Sequence, residues 1–418
     1  MGGSTSAIPK KKYVSIKRRA VAPLEGGEKT LELKVADWPA IEKCTKFTVP
    51  TGNYNSWEFD IWLLEPSDLP ALCSLIVLQF NLPSKFDIKF GKWCGLFKQV
   101  QLNMAAPSNP YHNVVHLVDV LQTCAAFLGE IGAVSIVSET DVLSLFLAAL
   151  VHDIGHPGLS NAYQVHAETP LALRYNDMSV LEHHHCALAF ELFQDPKSNI
   201  FFDVPSTLRI AVRKSIINLI LSTDMTAHFT LLEELNDCIV RNFESLATVA
   251  ELEAVVLPDK DRMVILRSIL HAADISNPSK NWKTSKRWSD LVVQEFFAQG
   301  DLEIAEKLPV SMNMDRSKSF QDEISLGFSD CIAAPFYLTL LKAFPKLVKA
   351  VRNLESNRRL WSIIMRSRIS AIGTISSSQK ENSLATLTAT EDAFTMKVNV
   401  ALDIADSKLG GKLPGATN

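Results

Sequence analysis

The sequence predicts an all-α protein, and two observations support this prediction. From about Trp57 to about Trp361, apolar residues recur at the spacing of helices, and the alternation typical of strands is sparse. Proline, glycine and asparagine residues separate the helical segments. With 418 residues and 47% hydrophobic content, the chain can bury a large core, in one domain or in two smaller ones.

The predicted elements follow in chain order. Residues 1–50 are polar and basic, which predicts a flexible N-terminal arm. A buried helix is predicted at Asp141–Leu150, after Ser, Glu and Thr capping candidates, and it delivers His152 at its end. The same spacing predicts further long helices, at Leu181–Phe193, Leu208–Leu221, Met263–Ala273, Trp288–Ala298 and Phe320–Leu341. The helical domain is placed at residues 51–365, and residues 366–418 are predicted to be a largely mobile tail with one helix.

Composition narrows the compartment and the partners. A net charge of −4 gives no electrostatic case for binding nucleic acid. Seven scattered cysteines, with no Cys-x-x-Cys pair, are typical of buried thiols in a reducing compartment. We expect no membrane-spanning segment, because no apolar run reaches roughly 18 to 20 residues. No secretory signal opens the chain, so the expected location is cytoplasmic.

The most informative residues are imidazoles and carboxylates in three clusters. These are His112 with His116, His152 with Asp153 and His156, and finally Asp274. Each histidine pair is spaced i, i+4, which on a helix turns both rings toward one face. Imidazole and carboxylate ligands suit a divalent ion of the zinc, iron or manganese kind. The clusters therefore predict a metal centre with hydrolytic chemistry.

Several longer motifs surround these clusters in a fixed order. They are Trp57–Asp60, Tyr111–His116, Val151–Gly158, Tyr175–His185, Ser222–Met225 and His271–Pro278. Together they resemble the catalytic domain of class I 3′,5′-cyclic-nucleotide phosphodiesterases, over about 300 residues. The His-Asp pair alone would indicate only the wider His-Asp phosphohydrolase superfamily. The resemblance implies a compact multi-helix catalytic domain.

The resemblance also implies two divalent metal ions, zinc at the tighter site and magnesium or manganese at the second. The implied ligands of the tighter site are His116, His152, Asp153 and Asp274. Asp153 would bridge both ions, and His156 would bind water beside them. Such a pair of ions places positive charge on the phosphate and lowers the pKa of water toward about 7.

The implied general acid is His112, which would protonate the departing 3′ oxygen. By the same resemblance, Glu182 would orient the His112 ring and keep it charged. Asn161 and Asp224 would support the water network, either directly or through neighbours. The run His183–His185 is interpreted as structural, because consecutive helical residues point in different directions.

The implied nucleotide pocket consists of Tyr111, Asn277, Val292, Ser325 and Phe328. Phe328 and Val292 would hold the two faces of the purine. Ser325 stands where the family has a glutamine, and a hydroxyl cannot offer the fixed donor and acceptor pair of an amide. Gln321, one helical turn earlier, could compensate, although an exposed glutamine is the simpler interpretation.

The predicted function is metal-dependent hydrolysis of a 3′,5′-cyclic nucleotide to the 5′-monophosphate, which would end cyclic-nucleotide signalling. The segment Asp274–Pro278 resembles that of cAMP-preferring members of the family, which favours cAMP over cGMP. The alternatives are a weakened cyclic-nucleotide sensor, supported only by Ser325, and another His-Asp phosphohydrolase acting on nucleoside triphosphates. The resemblance also allows a homodimer.

The first residues add a prediction about location. Met1–Ser6 fits the pattern for myristoylation of Gly2, and six basic residues lie between Lys10 and Arg19. One acyl chain binds membranes only marginally, and a polybasic patch supplies a second signal. An ordinary basic arm is the alternative.

Overall fold

The computed structural model describes residues 54–104, 109–371 and 377–410, and all the α-helices named below lie in these ranges. In chain order they are α1 Leu69–Gln79, α2 Leu82–Lys85, α3 Phe90–Asn103, α4 Val114–Leu128, α5 Glu139–Val151, α6 Asn161–His166, α7 Pro170–Tyr175, α8 Val180–Gln194, α9 Ser206–Leu221, α10 His228–Asn242, α11 Val249–Glu253, α12 Asp259–Asp274, α13 Trp282–Glu306, α14 Gln321–Phe328, α15 Ala334–Ala343, α16 Val348–Ala371 and α17 Ser377–Lys408. Short 3₁₀ turns occupy Ile61–Leu63, Pro66–Asp68, Ala133–Ile136, Met225–Ala227, Asn277–Ser279 and Pro345–Leu347. The described ranges contain no strand, so the all-α prediction is confirmed. The arm predicted at residues 1–50 lies outside them.

Helices α4 and α5 form the centre of the molecule. They pack against each other, and nearly every residue of both is buried. Helix α12 packs on α4, and α9 packs on α5. A helix that is apolar on all sides is stable only inside a core, which is where these two lie.

The starts of α4 and α5 are fixed by side-chain caps. Asn113 precedes α4, and its Oδ1 accepts from the backbone N–H groups of Val115 and His116 at 2.9 and 3.4 Å. Ser138 precedes α5 and forms a reciprocal capping box with Asp141. Each cap satisfies amide groups that a helix start leaves without partners. The caps therefore fix the residue at which each helix begins, and with it the direction in which the histidine of that helix points.

The N-terminal edge of the domain is anchored by Trp57. Its indole N–H donates to the Ser279 carbonyl at 2.8 Å, and its ring meets Phe127 and Tyr337 edge-on. The ammonium of Lys280 lies 5.0 Å from the indole ring. The contacts with Ser279, Lys280 and Tyr337 join residues that are more than 200 positions apart, so the helical domain begins at or before Trp57.

The segment Gln321–Ala343 differs from expectation in one way. The sequence predicted one continuous helix, but a π-helical turn at Ser329–Ala333 separates α14 from α15. The sequence also predicted no membrane-spanning segment. Among the described residues, this stretch is long and apolar enough to cross a membrane, by length and composition only. Its apolar character is explained by the core, because Phe336 and Tyr337 are completely buried there.

The C-terminal part of the chain also differs from expectation. Residues 366–418 were predicted to be largely mobile, but α16 continues to Ala371 and α17 is a helix of 32 residues. Helix α17 packs along α16 and α15 and buries Phe394 and Val398. The burial of apolar side chains explains why the segment is ordered. Residues 411–418 lie outside the described residues.

At position 300, helix α13 lies so close to the backbone of Met314 that only glycine fits. A Cβ atom on Gly300 of α13 would lie 1.8 Å from the carbonyl oxygen of Met314, so no other residue fits there without moving the chain. Met314 and the neighbouring Gln299 both line the cavity described below. Gly300 therefore lets this loop lie directly against α13.

We expect Gly300→Ala to lower the free energy of unfolding by about 1 to 3 kcal/mol, the usual cost of overpacking. Gly91→Ala is the matched control, because a Cβ at this helical position would have no atom within 4 Å. That control should be neutral or slightly stabilising. Urea unfolding of both variants measures the difference, and equal effects would contradict the role given to Gly300.

Candidate active site

Three helix ends meet at one place in the core. His116 lies in the first turn of α4, His152 directly follows α5, and Asp274 is the last residue of α12. Asp153 follows His152 in the chain. The carboxyl ends of α5 and α12 carry partial negative charge, so they favour a cation at this point.

The four side chains converge tightly. The Nε2 atom of His116 lies 3.1 Å from Asp274 Oδ1 and 3.4 Å from Asp153 Oδ2. The Nε2 atom of His152 lies 3.3 and 3.2 Å from the same two oxygens. One ligand atom from each residue falls within 4.8 Å of all the others. This arrangement can hold a metal ion.

The hydrogen-bond state of the rings fits a metal. His152 Nδ1 donates to the Ala149 carbonyl at 3.0 Å, which leaves Nε2 to take up either a proton or a metal ion. This buried Nε2 atom makes no well-formed hydrogen bond among the described residues, although two carboxylate oxygens lie within 3.3 Å of it. A buried polar atom without a partner is costly, and a metal ion would satisfy it.

Electrostatics supports the same conclusion. Burial opposes the charged form of His116, yet contacts with Asp153 and Asp274 raise its pKa to about 9. The same carboxylates raise the pKa of His152 against burial. Two carboxylates packed this closely demand a compensating positive charge, which either protons or a divalent ion can supply. Metal binding would therefore release protons.

His112 lies beside this cluster and is held by Glu295. Its Nδ1 atom contacts Glu295 Oε1, and its Nε2 atom points toward Asp153 Oδ2 at 3.9 Å. The second oxygen of Glu295 accepts from the backbone N–H groups of Tyr111 and His112 at 3.2 Å. Burial lowers the pKa of His112, but the carboxylate outweighs it and raises the pKa above the ordinary value. An imidazole held in this way can carry and donate a proton.

Glu182 does not contact the His112 ring, in contrast to our expectation. Its carboxylate accepts from Asn161 Nδ2 at 2.9 and 3.2 Å, and Asn161 Oδ1 accepts from the Leu181 N–H. The orienting carboxylate is Glu295, 183 positions after His112 in the chain. Burial and the nearby Asp224 carboxylate raise the pKa of Glu182 to about 7, as is common in functional sites.

His185 also belongs to the site, although the sequence interpretation left it structural. Its Nδ1 donates to the Ile154 carbonyl at 2.7 Å, and its Nε2 lies 3.7 Å from Asp153 Oδ1. Burial lowers the pKa of His185 to about 4, so the ring is neutral. His183 in the same run is exposed. The spacing of three from Glu182 places both buried side chains on one face of α8 and could have indicated His185.

Two other predicted residues lie next to the centre. The His156 ring stacks on the His112 ring, with centroids 3.8 Å apart, and its Nδ1 accepts from the Gly158 N–H. Asp224 accepts from the Ser179 hydroxyl at 2.7 Å and caps the following turn. Both side chains line the same cavity as Asp153 and Asp274.

The site consists of two cavities. The first, about 270 Å³, is lined by Asp153 and Asp274 of the metal-ligand cluster and by His112, Glu182 and Asn161. The second, about 100 Å³, is more apolar. It is lined by all five residues predicted to bind the nucleotide, namely Tyr111, Asn277, Val292, Ser325 and Phe328. Phe296 lines both cavities, so the two are neighbours.

Ser325 is paired with another serine in the second cavity. The Ser289 and Ser325 hydroxyl oxygens lie 2.9 Å apart. Gln321 Nε2 donates to Ser289 at 3.0 Å and to Asp290 at 2.7 Å. Gln321 therefore reaches Ser325 only through Ser289, and its amide does not line the cavity.

A larger cavity of about 610 Å³ lies away from this site, between α5, α9, α10 and α12. Its arginines are already paired with carboxylates, as Arg262 with Asp141 and Arg267 with Glu234 show. Among the described residues it brings together no metal-ligand cluster, so we place the chemistry at the smaller cavities.

Comparison with known proteins assigns the family. The sequence model of the 3′5′-cyclic nucleotide phosphodiesterase family matches residues 111–354, more than half of the chain. The chain belongs to this family. Among its relatives, a dual specificity calcium/calmodulin-dependent 3′,5′-cyclic nucleotide phosphodiesterase 1B from Cricetulus griseus is 31% identical over 324 residues, 77% of this chain and 57% of the relative. The high affinity cGMP-specific 3′,5′-cyclic phosphodiesterase 9A of Homo sapiens is 33% identical over 69% of this chain and 46% of its own length.

A solved structure supports the same fold. The phosphodiesterase domain of the RhoPDE fusion protein from Salpingoeca rosetta superposes with a TM-score of 0.69 at 30% identity, covering 78% of this chain and 99% of that domain. The predicted resemblance to cyclic-nucleotide phosphodiesterases is thus confirmed. The chain spans about half the length of the curated relatives it matches.

Proposed function

We propose that this protein hydrolyses a 3′,5′-cyclic nucleotide to the 5′-monophosphate. The observation that carries the proposal is the shared cavity of two groups of side chains. Asp153 and Asp274 of the four-residue ligand cluster line the same cavity as the Glu295-held imidazole of His112. A cyclic phosphodiester needs both positive charge at phosphorus and an acid for the leaving oxygen.

The metal ligands in this proposal are His116, His152, Asp153 and Asp274. When bound, two divalent ions would place positive charge on the phosphate and lower the pKa of water. We propose zinc at this tighter position and magnesium or manganese at the second, where Asp153 is the shared ligand. His156, Asn161, Glu182 and Asp224 line the cavity and would hold water around the phosphate.

His112 supplies the proton in this proposal. The reaction adds one water, whose oxygen joins phosphorus while the bond between phosphorus and the 3′ oxygen breaks. The departing 3′ oxygen takes its proton from His112 Nε2, the ring atom not engaged by Glu295. The attacking water loses one proton as its oxygen joins phosphorus, and that proton replaces the one given up by His112. The Glu295 carboxylate stabilises the charged imidazolium before transfer.

The second cavity would hold the base, and we propose a preference for cAMP. Asn277 Nδ2 donates to the Tyr111 hydroxyl at 2.6 Å, which leaves Oδ1 to accept a hydrogen bond. Adenine presents an amine donor where guanine presents a carbonyl acceptor, so an acceptor in the protein favours adenine. Because relatives include dual-specificity and cGMP-specific enzymes, the choice of base depends on residues such as these.

A sensor that binds without turnover is the second candidate, and Ser325 is the observation that favours it. The assay that decides is product formation from labelled cAMP and cGMP with magnesium or manganese. We expect 5′-monophosphate from the wild type. Asp274→Ala should abolish turnover and reduce bound metal, because it removes an anionic ligand.

His183→Ala is the matched control, because this histidine is exposed on α8 beside the buried His185. It should keep normal metal content and turnover. Cyclic-nucleotide binding by the wild type without product would support the sensor instead. Full metal content in Asp274→Ala would contradict the ligand assignment.

We expect the pH profile to report on the His112–Glu295 pair. The acid must be protonated, so activity is present below the pKa of His112 and is lost as pH rises through it. Glu295→Gln removes the charge that raises this pKa, so the alkaline limb of kcat/KM should move to lower pH. Glu182→Gln is the comparison, and its alkaline limb should stay in place even if the rate falls. A shift in Glu182→Gln alone would restore our first assignment.

We expect Ser325→Gln to lower KM for the preferred nucleotide by up to about tenfold, because an amide adds a buried hydrogen bond to the base. The value of kcat should change little, since the metal cluster is untouched. Gln321→Ala is the comparison, and its KM should stay close to that of the wild type. Steady-state kinetics measures both. A higher KM in Ser325→Gln would mean that the Ser289–Ser325 pair itself binds the base.

Location and assembly remain predictions of the sequence. The myristoylation pattern at Gly2 and the basic patch at Lys10–Arg19 lie outside the described residues. We propose a cytoplasmic protein with membrane attachment through this arm. Fractionation of wild type and Gly2→Ala separates that proposal from a plain basic arm. The homodimer likewise stays a prediction.

A further inference from the structure

The C-terminal helix α17 lies beyond the residues that the family model matches, yet it reaches the wall of the second cavity. Three buried side chains form a small hydrophobic cluster separate from the main core, namely Leu326 of α14, Trp361 of α16 and Leu387 of α17. Trp361 lines the cavity that also contains Ser325 and Phe328. Leu387 therefore belongs to a buried cluster that includes a residue of the cavity wall.

A polar contact links the same three parts of the chain. Arg358 of α16 is almost completely buried, and it donates to both carboxylate oxygens of Asp330 at 2.9 Å. Asp330 lies in the π-helical turn, two residues after Phe328. From α17, Thr390 accepts from the Arg358 guanidinium at 3.3 Å, and the Phe394 ring lies 5.1 Å from it. Bidentate contacts of this kind fix geometry as well as adding energy.

Helix α17 is held in place by further ion pairs. Glu391 accepts from Arg366 at 3.0 Å and from Ser362 at 3.3 Å. Near the other end, Arg352 pairs with Asp406 at 3.4 Å. The position of Leu387 is therefore determined by contacts along most of the helix.

We propose that α17 positions the base-binding wall, and that Leu387 and Thr390 are positioning residues for the substrate. They touch neither the proposed substrate nor the metal ligands. They act through Trp361 and through Arg358 and Asp330, which support the segment carrying Ser325 and Phe328. This inference rests on the proposed function. It assigns substrate affinity, rather than metal binding or proton transfer, to a helix outside the matched residues.

The test compares two leucines of the same helix. Leu387 and Leu402 are exposed to nearly the same extent, 6% and 7%. Leu387 belongs to the small cluster behind the cavity, whereas Leu402 belongs to the main core. Truncation of either to alanine removes a buried side chain from α17, so both should lower stability. Only Leu387→Ala should alter the cavity.

We expect Leu387→Ala to raise KM for the preferred cyclic nucleotide about threefold to tenfold, since small misplacements of binding groups weaken substrate positioning. The value of kcat and the bound metal should stay within about twofold of the wild type. Leu402→Ala should keep the wild-type KM, and Leu387→Met should restore it because its volume is similar. Kinetics, metal analysis and thermal unfolding on the same samples give all four quantities.

The outcomes are distinguishable. If the wild type hydrolyses no cyclic nucleotide, the proposed function fails and this inference fails with it. If the wild type is active and Leu387→Ala has an unchanged KM, only the inference is overturned. Equal increases of KM in Leu387→Ala and Leu402→Ala would show that α17 is a general structural support, which also overturns it.

Discussion

The arrangement of the protein depends on the burial of two carboxylates against two imidazoles. Asp153 and Asp274 lie within 3.4 Å of both His116 and His152, in a part of the core where each charge must be compensated. The fold increases that demand by ending α5 and α12 at this point, because the carboxyl end of a helix carries partial negative charge and attracts a cation. A divalent ion would supply the compensating positive charge. The central helices are therefore constrained at their ends as well as by their apolar sides.

Local sequence spacing made part of this site predictable from the sequence. His112 and His116 are four residues apart in the sequence, and His152 and Asp153 are adjacent, so local spacing brought them to attention. In the structure His112 precedes α4, whereas His116 lies in its first turn. Asp274 was assigned through the resemblance to a known family, and the structure brings it to the same cluster. The carboxylate that contacts the His112 ring was not predictable in this way. Glu295 lies 183 positions further on, in the middle of a long helix, where an isolated glutamate usually faces solvent.

The run of three histidines shows a second limit. Successive helical residues point in different directions, and this argument led us to treat the whole run as structural. The structure confirms the premise, since His183 is exposed, but one member must then face inward. His185 does so and faces Asp153. A periodicity argument therefore has to be applied to each residue of a run.

The order of the C-terminal segment, for which the sequence predicted one helix in a largely mobile tail, was missed for a related reason. Its polar composition suggested a mobile tail, but the buried positions Leu387, Phe394, Val398, Leu402 and Ala405 recur at helical spacing. Such a narrow apolar stripe is a weak signal when the rest of the segment is polar. Its partner surface on α15 and α16 exists only after the domain has folded. Order in this segment is a tertiary effect, which local propensity does not show.

The two cavities are built from different parts of the chain, and this separation bears on Ser325. The metal-ligand cluster comes from the ends of α4, α5 and α12, whereas the second cavity is lined largely by α13, α14 and α16. A change on α14 can therefore alter the fit of a base without moving a metal ligand. Serine in place of an amide is then compatible with an intact catalytic cluster, because the energetic cost falls on substrate affinity alone. The same separation explains how helix α17, which packs behind the second cavity, could change substrate affinity without moving the metal-ligand cluster.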